Sequence, residues 1–378
     1  MDFPYIILFF LLFWLTYKDW KSPSQLNFKI AVWAVFIFMA FRAPVVGADT
    51  WNYYKYLTGV RNFYNADQRE LELGFLVYRE ICLKIFLQSG ILIMIANTFF
   101  TLVFVYYMIK KCSYAKVLSI FVMFLLFNYA NWFIALRQTL GFSIYLGGLL
   151  YFMDDRKYKW FVHIGCAILG YLFHTSIIIY FIIGLLCLFI NIQKREIYIF
   201  AIIISLLIGI VLQDFDVFAA FNYFSSLEMS ATERLNGYLE SEAIKEESGL
   251  NILLRPSIIA LITMSLMDKD KLSHVFTKFY IFGVLFFNLF WQIPMTHRLV
   301  FIFETFGCVV VTWIFGTRFK NDIKIRKIAT ILSILVFLYF GRSFLISQYQ
   351  YDLSDARRLH PYYFFWENYH SHPSITRF

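Results

Sequence analysis

Residues 90–109 read GILIMIANTFFTLVFVYYMI, and Lys110 and Lys111 follow at once. The stretch carries no charge, and at 1.5 Å per residue a helix of that length crosses the ~30 Å hydrocarbon layer of a bilayer. Comparable runs lie on both sides of it, at 3–17, 27–41, 117–136, 138–153, 160–173, 176–190, 197–212, 252–267, 279–294, 299–316 and 328–345. The chain has 378 residues, 60% hydrophobic and 16% charged, and a mean hydropathy of +0.63. One soluble core of this size could not hide so much apolar surface. The predicted fold is therefore all-α, a single polytopic integral membrane domain over 1–378 with about twelve transmembrane helices. Several runs between 138 and 190 are short, which leaves merged or re-entrant segments open.

The formal charge of +9 is sorted by side and not gathered into the single patch that nucleic acid would need. The loops after the odd-numbered runs, at 18–29, 110–116, 154–159, 191–196, 268–278 and 317–327, hold 19 basic and 7 acidic residues, and the rest of the chain is net acidic. Lys and Arg collect in cytoplasmic loops, so this alternation predicts basic loops inside and both termini outside. Asp2 stands where a signal peptide would carry a basic leader, and no small-residue cleavage site follows the first run. That run is expected to remain as the first membrane helix. Cys82, Cys112, Cys166, Cys187 and Cys308 show no CxxC spacing, and no structural disulfide is expected.

Three longer segments then face outside: 42–89, 213–251 and the aromatic tail 346–378. The first ends in FLVYREICLKIFL, whose apolar spacing suits an amphipathic helix at the interface. With inner loops this short, chemistry belongs to the outer face or the membrane itself. GxGxxG, a Walker loop and HExxH are all absent. Asp214–Phe215–Asp216 has the DxD spacing that holds a metal–nucleotide in many soluble glycosyltransferases, yet two acids at that spacing are common by chance. His360, His370 and His372 near Glu367 fit no standard metal spacing. No metal and no cofactor is expected.

An arginine beside a membrane span is costly unless satisfied, so each is a functional candidate. Arg42, Arg137, Arg298 and Arg342 all fall at outer helix ends in this topology, as does His174. Any one of them can snorkel to headgroups or pair with an acid. Several on one face offer what a diphosphate requires, because guanidinium stays ionised and binds phosphate oxygens through paired hydrogen bonds. His174 either bonds its own turn, beside Thr175 and Ser176, or moves a proton. In VGADTWNYY, residues 46–54, Gly47 permits a tight turn. Asp49 there either caps the following helix or serves as a general base, and Trp51, Tyr53 and Tyr54 lie at headgroup level or face sugar rings.

These residues carry a family likeness. FRAPVVGADTWNYYKYL resembles the opening signature of the EpsG family, and ELGFLVYREICLKIF resembles the segment that follows it. NWFIALRQTLGFSIYLGGLLYFMDDRKYKWF and FHTSIIIYFIIGLL resemble its R-Q and H-x-S stretches, and THRLVFIFE and LHPYYFF its later features. The resemblance implies a bacterial inner-membrane protein similar to Wzy-type polymerases, with outer loops forming a GT-C-like cleft. Such an enzyme joins oligosaccharide repeat units of O-antigen or capsule carried on undecaprenyl diphosphate at the periplasmic face. Its implied partners are a lipid-linked donor, a lipid-linked acceptor, membrane lipids and a chain-length regulator protein, with no nucleic acid.

The implied reaction is a metal-independent glycosyl transfer. Arg137 and Arg298 would stabilise the leaving diphosphate, and Asp49 or, second, His174 would act as base. Arg42, Thr50, Tyr53, Gln138, Ser176, His297 and Arg342 would bind substrate. An O-antigen ligase and a transporter or flippase of lipid-linked oligosaccharide are the alternatives. A transporter commonly shows internal symmetry and charges at the bilayer midplane, neither of which the sequence displays.

Overall fold

The computed structural model describes residues 3–47, 49–60, 71–125, 132, 134–212, 250–291, 296–315, 323, 327, 331 and 362–367. Every regular element among them is helical, apart from one isolated antiparallel bridge between Arg42 and Phe364. The helices are α1 (Phe3–Lys21), α2 (Gln25–Ala40), α3 (Thr50–Leu57), α4 (Leu73–Ile85), α5 (Gly90–Cys112), α6 (Lys116–Leu125) and α7 (Leu136–Met153). There follow α8 (Lys159–Tyr171), α9 (Ile177–Phe189), α10 (Arg195–Val211), α11 (Leu250–Leu266), α12 (Lys269–Leu272), α13 (Val275–Phe290) and α14 (Thr296–Val310), the last running on into a 3-10 turn, Val311–Phe315. The chain divides into two compact units, Met1–Leu186 with Phe337–Phe378, and Cys187–Val336.

By length and composition, two of the described helical stretches can cross a membrane: Gly90–Cys112 and Arg298–Phe315. Five more are apolar but shorter: Gln25–Ala40, Lys116–Leu125, Ile177–Phe189, Leu254–Leu266 and Val275–Phe290. A helix of 10–17 residues extends ~15–26 Å, so hydropathy runs overstate helix length where caps and turns occupy their ends. The run 176–190 is an example, because a turn capped by His174 stands before α9 and the helix ends at Phe189. The twelfth run at 328–345 apart from residue 331, Arg342, Asp214 and Asp216, most of the segment 213–251, and His360, His370 and His372 lie outside the described residues.

In the first unit, α7 and α8 form an antiparallel pair whose backbones nearly touch. A Cβ on Gly141 would lie 2.6 Å from the Gly170 carbonyl, and one on Gly170 would lie 2.6 Å from the Gly141 carbonyl. Only glycine at both positions allows that approach. Their connecting turn holds Asp154, which pairs with Lys111 at the end of α5 and with Arg156 at 3.2 Å. The basic turns after α5 and α7 therefore lie at one level, and Arg137 at the start of α7 lies at the opposite end. At that opposite end α4 docks on α8 through the Gly74 amide, which donates to the Leu172 carbonyl at 2.8 Å. Tyr53, Tyr56, Phe75 and Tyr78 pack with Leu136 and Leu140 beneath it.

The second unit repeats this sorting by itself. Lys278 donates to the Ile190 carbonyl at 2.6 Å, Arg195 to the Met267 carbonyl at 2.7 Å, and Tyr198 to the Leu272 carbonyl at 2.7 Å. The basic turns between α9 and α10 and around α12 thus share one end. Near the end of α13, buried Asn288 donates to Ser205 of α10 at 2.9 Å and accepts from Ser257 of α11 at 2.8 Å.

Candidate functional site

Arg137, Gln138, His174 and Ser176 come from two stretches more than thirty residues apart, and α7 and α8 bring them together. Arg137 is the second residue of α7. Its Nη1 donates to Glu72 Oε2 at 2.5 Å, and its Nε points to the Tyr53 hydroxyl at 3.4 Å. Burial disfavours its charge, but Tyr53 and then Glu72 outweigh that, and the guanidinium is held above its ordinary value. Gln138, buried beside it, donates to the Tyr180 hydroxyl at 2.8 Å. Ser176 also hydrogen-bonds Tyr180, and its hydroxyl lies 2.8 Å from His174 Nδ1. One chain of polar contacts therefore runs from His174 through Ser176 and Tyr180 to Gln138, next to the Arg137–Glu72–Tyr53 cluster.

His174 caps the turn before α9, accepting the Ser176 amide N–H at Nδ1 at 3.2 Å. His274 does the same for Phe276 at the head of α13, also at 3.2 Å. Of the readings of VGADTWNYY, the turn at Gly47 is found in the structure. Gly47 adopts φ +103°, which side chains with a Cβ avoid, and the Thr50 amide closes the turn on its carbonyl at 3.0 Å. Asp49 occupies the N-cap position of α3, but its side chain makes no capping hydrogen bond. Thr50 is buried, and Tyr53 faces Arg137 from the next turn.

Arg42 takes a different position. It is buried, with Nη1 donating to the Met39 carbonyl at 2.5 Å, and its backbone bridges Phe364. Ala43 and Phe365 extend the bridge through backbone hydrogen bonds of 2.7 and 2.8 Å, and Tyr362 bonds the Phe38 carbonyl. Burial pushes the Arg42 guanidinium down to about 10, against the pull of Tyr362 and Tyr5. Arg42 thus fastens the tail to the end of α2.

His297 and Arg298 open α14 in the second unit, with Arg298 part-exposed. Further along α14, Glu304 lies in the field of Arg255 from α11, with Tyr280 of α13 beside it. Sequence reasoning missed Glu72, Tyr180, Arg255 and Glu304. An acid inside an apolar run signals Glu304, but no local pattern marks Glu72 or Tyr180. Among the described residues no three His, Cys, Asp or Glu side chains stand close enough to share a metal ion, and the five cysteines are free thiols.

The described residues define an all-helical protein of apolar helices with an arginine-centred polar network at one helix end. The family model of the EpsG family matches residues 25–362, nearly the whole length, and the chain belongs to that family. The family is associated with polysaccharide polymerase-like membrane proteins. Neither the curated proteins nor the solved structures yield a match.

Proposed function

We propose that this protein is a polysaccharide polymerase of the bacterial inner membrane, joining oligosaccharide repeat units carried on undecaprenyl diphosphate at the periplasmic face. The observation that carries this reading is that two neighbouring polar networks, Arg137 with Glu72 and Tyr53 and Gln138 with Tyr180, Ser176 and His174, lie at the start of α7 in an EpsG-family chain. Membrane insertion is supported by the inside-out surface. Helix α8 exposes Phe161, Ile164, Ile168 and Leu169, and α10 exposes Phe200, Leu207 and Val211. The interior holds Thr139, Ser143 and Asn288. Water would penalise such a surface, and lipid does not. With about twelve spans and basic turns inside, the Arg137 end faces the periplasm.

In the reaction, a sugar hydroxyl of the acceptor attacks the donor's anomeric carbon, and the bond to the diphosphate breaks. Negative charge grows on the departing diphosphate, so a fixed cation there lowers the barrier. Arg137 supplies it, presenting a planar guanidinium that matches phosphate oxygens. Gln138 and Tyr180 hold the α7–α9 contact that aims it. Thr50 and Tyr53, on the same unit as Arg137, flank the sugar side.

The test is deletion of the gene from its host, with surface glycan separated on a silver-stained gel. Collapse of the ladder to a single repeat unit is the expected result, restored by the wild-type gene and not by Arg137→Ala. An unchanged ladder in the deletion strain would refute the polymerase. Long polymer accumulating on undecaprenyl diphosphate in the deletion strain would point to ligation instead.

A further inference from the structure

Glu72 occupies the N-cap position of α4 yet makes no capping hydrogen bond. A carboxylate placed there ordinarily turns to the free N–H groups and the positive end of its own helix. Instead it reaches across to α7 and takes Nη1 of Arg137 at 2.5 Å. The two side chains are 17% and 24% exposed, dry enough to bind each other firmly and open enough for a substrate to reach. Tyr53 lines the same guanidinium from α3. The residue that should hold the diphosphate is therefore occupied, in the resting protein, by a carboxylate of this chain.

We propose that Glu72 is the base that takes the acceptor's proton, and that its pairing with Arg137 keeps it masked until the donor diphosphate displaces it. The proposal rests on the polymerase reading above. A diphosphate carries more charge than a carboxylate and can take two guanidinium N–H groups where Glu72 takes one, so it wins the exchange. Glu72 then loses its cation, and its carboxylate oxygens are free to accept a hydrogen bond from the acceptor hydroxyl. The acceptor hydroxyl oxygen forms the new bond to the anomeric carbon. The bond between that carbon and the diphosphate oxygen breaks with its electron pair going to the diphosphate, and the hydroxyl proton passes to Glu72. Water takes the proton after the product leaves, and Arg137 returns to Glu72. Base and donor are thereby coupled, so no active base exists while the donor site is empty.

The other two candidates are placed less well for this step. His174 accepts the Ser176 amide at Nδ1. A neutral ring so bonded carries its proton on Nε2 and has no lone pair left to accept another. Asp49 stands four residues before Tyr53 on α3, about 6 Å back along the helix axis from the residue that touches Arg137.

The full-length protein in lipid nanodiscs tests the proposal through Glu72→Gln. Gln keeps shape and a carbonyl for Arg137 but neither competes as an anion nor accepts the proton. Undecaprenyl diphosphate should bind at least about threefold more tightly, while the joining of lipid-linked repeat units falls about 100-fold or more. A merely structural ion pair would instead lose binding and turnover together. Weaker diphosphate binding, or joining within about threefold of wild type, overturns the proposal. Glu72→Asp is the second variant; it keeps the charge and withdraws the carboxylate by one methylene, and it should bind donor normally but turn over slowly. Unchanged turnover in Glu72→Asp, or a dead Asp49→Asn beside an active Glu72→Gln, also overturns it. If the wild type joins no repeat units, the polymerase reading fails and the base with it.

Discussion

Arg137→Lys separates charge from shape at the site. Arg137 uses two edges of its guanidinium, Nη1 on Glu72 at 2.5 Å and Nε toward Tyr53 at 3.4 Å. A single ammonium keeps the Glu72 contact and gives up Tyr53. The Tyr53 contact is long and part-exposed, so its loss costs about 0.5–1 kcal/mol of stability. The barrier should suffer more. A lysine cannot present paired N–H groups to a phosphate, and losing one preorganised donor to a developing anion costs about 2.7–4 kcal/mol. That is about 100- to 1,000-fold in rate. The variant should therefore insert and fold normally, melt within a few degrees of wild type, and join repeat units at least 100-fold more slowly. Arg137→Ala differs in kind: it strands Glu72, only 17% exposed, without its cation, and adds about 1–3 kcal/mol of destabilisation to the lost rate. Thermal unfolding in detergent and gel-resolved polymerisation of a purified lipid-linked repeat measure the two quantities separately. A lysine variant that polymerises at the wild-type rate would refute the reasoning, because charge alone would then suffice.

Gln138→Leu removes the donor to Tyr180 and should cost about 1 kcal/mol of stability while lowering turnover, since the α7–α9 contact aims Arg137; wild-type turnover in that variant contradicts the role given to the pair. Gly209→Ala would place a Cβ 2.0 Å from the Asn288 carbonyl oxygen, so α10 and α13 must separate, costing about 3 kcal/mol or more, readable as a fall in melting temperature. Asn288→Ala leaves the Ser205 and Ser257 hydroxyls without their shared partner and should destabilise by about 2–3 kcal/mol, with Ser257→Ala in the same background recovering part of the loss. His274 is held down to about 4 by burial, then by Lys271 and Lys278, against an ordinary 6.5. Its folded value lies below its unfolded one, so its contribution is complete above pH 6.5 and erodes as pH falls toward 4. His274→Gln should flatten the melting temperature across that window, and an equal slope in the variant would exclude His274 as its source.

The amino-acid sequence by itself determined that the chain is helical and apolar, and which residues to suspect. Those are local properties: the free energy of moving each residue out of water is written into runs such as 90–109, and Gly47 announces a turn because no other residue adopts its φ of +103° cheaply. The family likeness then named Arg137, Gln138, His174 and Ser176. Partnership was decided only in three dimensions. Glu72 is 65 positions from Arg137, and Tyr180 is 42 from Gln138. Whether they meet depends on which helix ends share a level, and that is fixed by the near-contact of Gly141 with Gly170 and the docking of Gly74 on Leu172. Arg42 makes the same point in reverse. It looked in sequence like one more cation at an outer helix end, and it lies buried because the tail strand at Phe364, more than three hundred residues away, closes over it. Hydropathy reports what each residue prefers to leave, and packing alone reports what it meets.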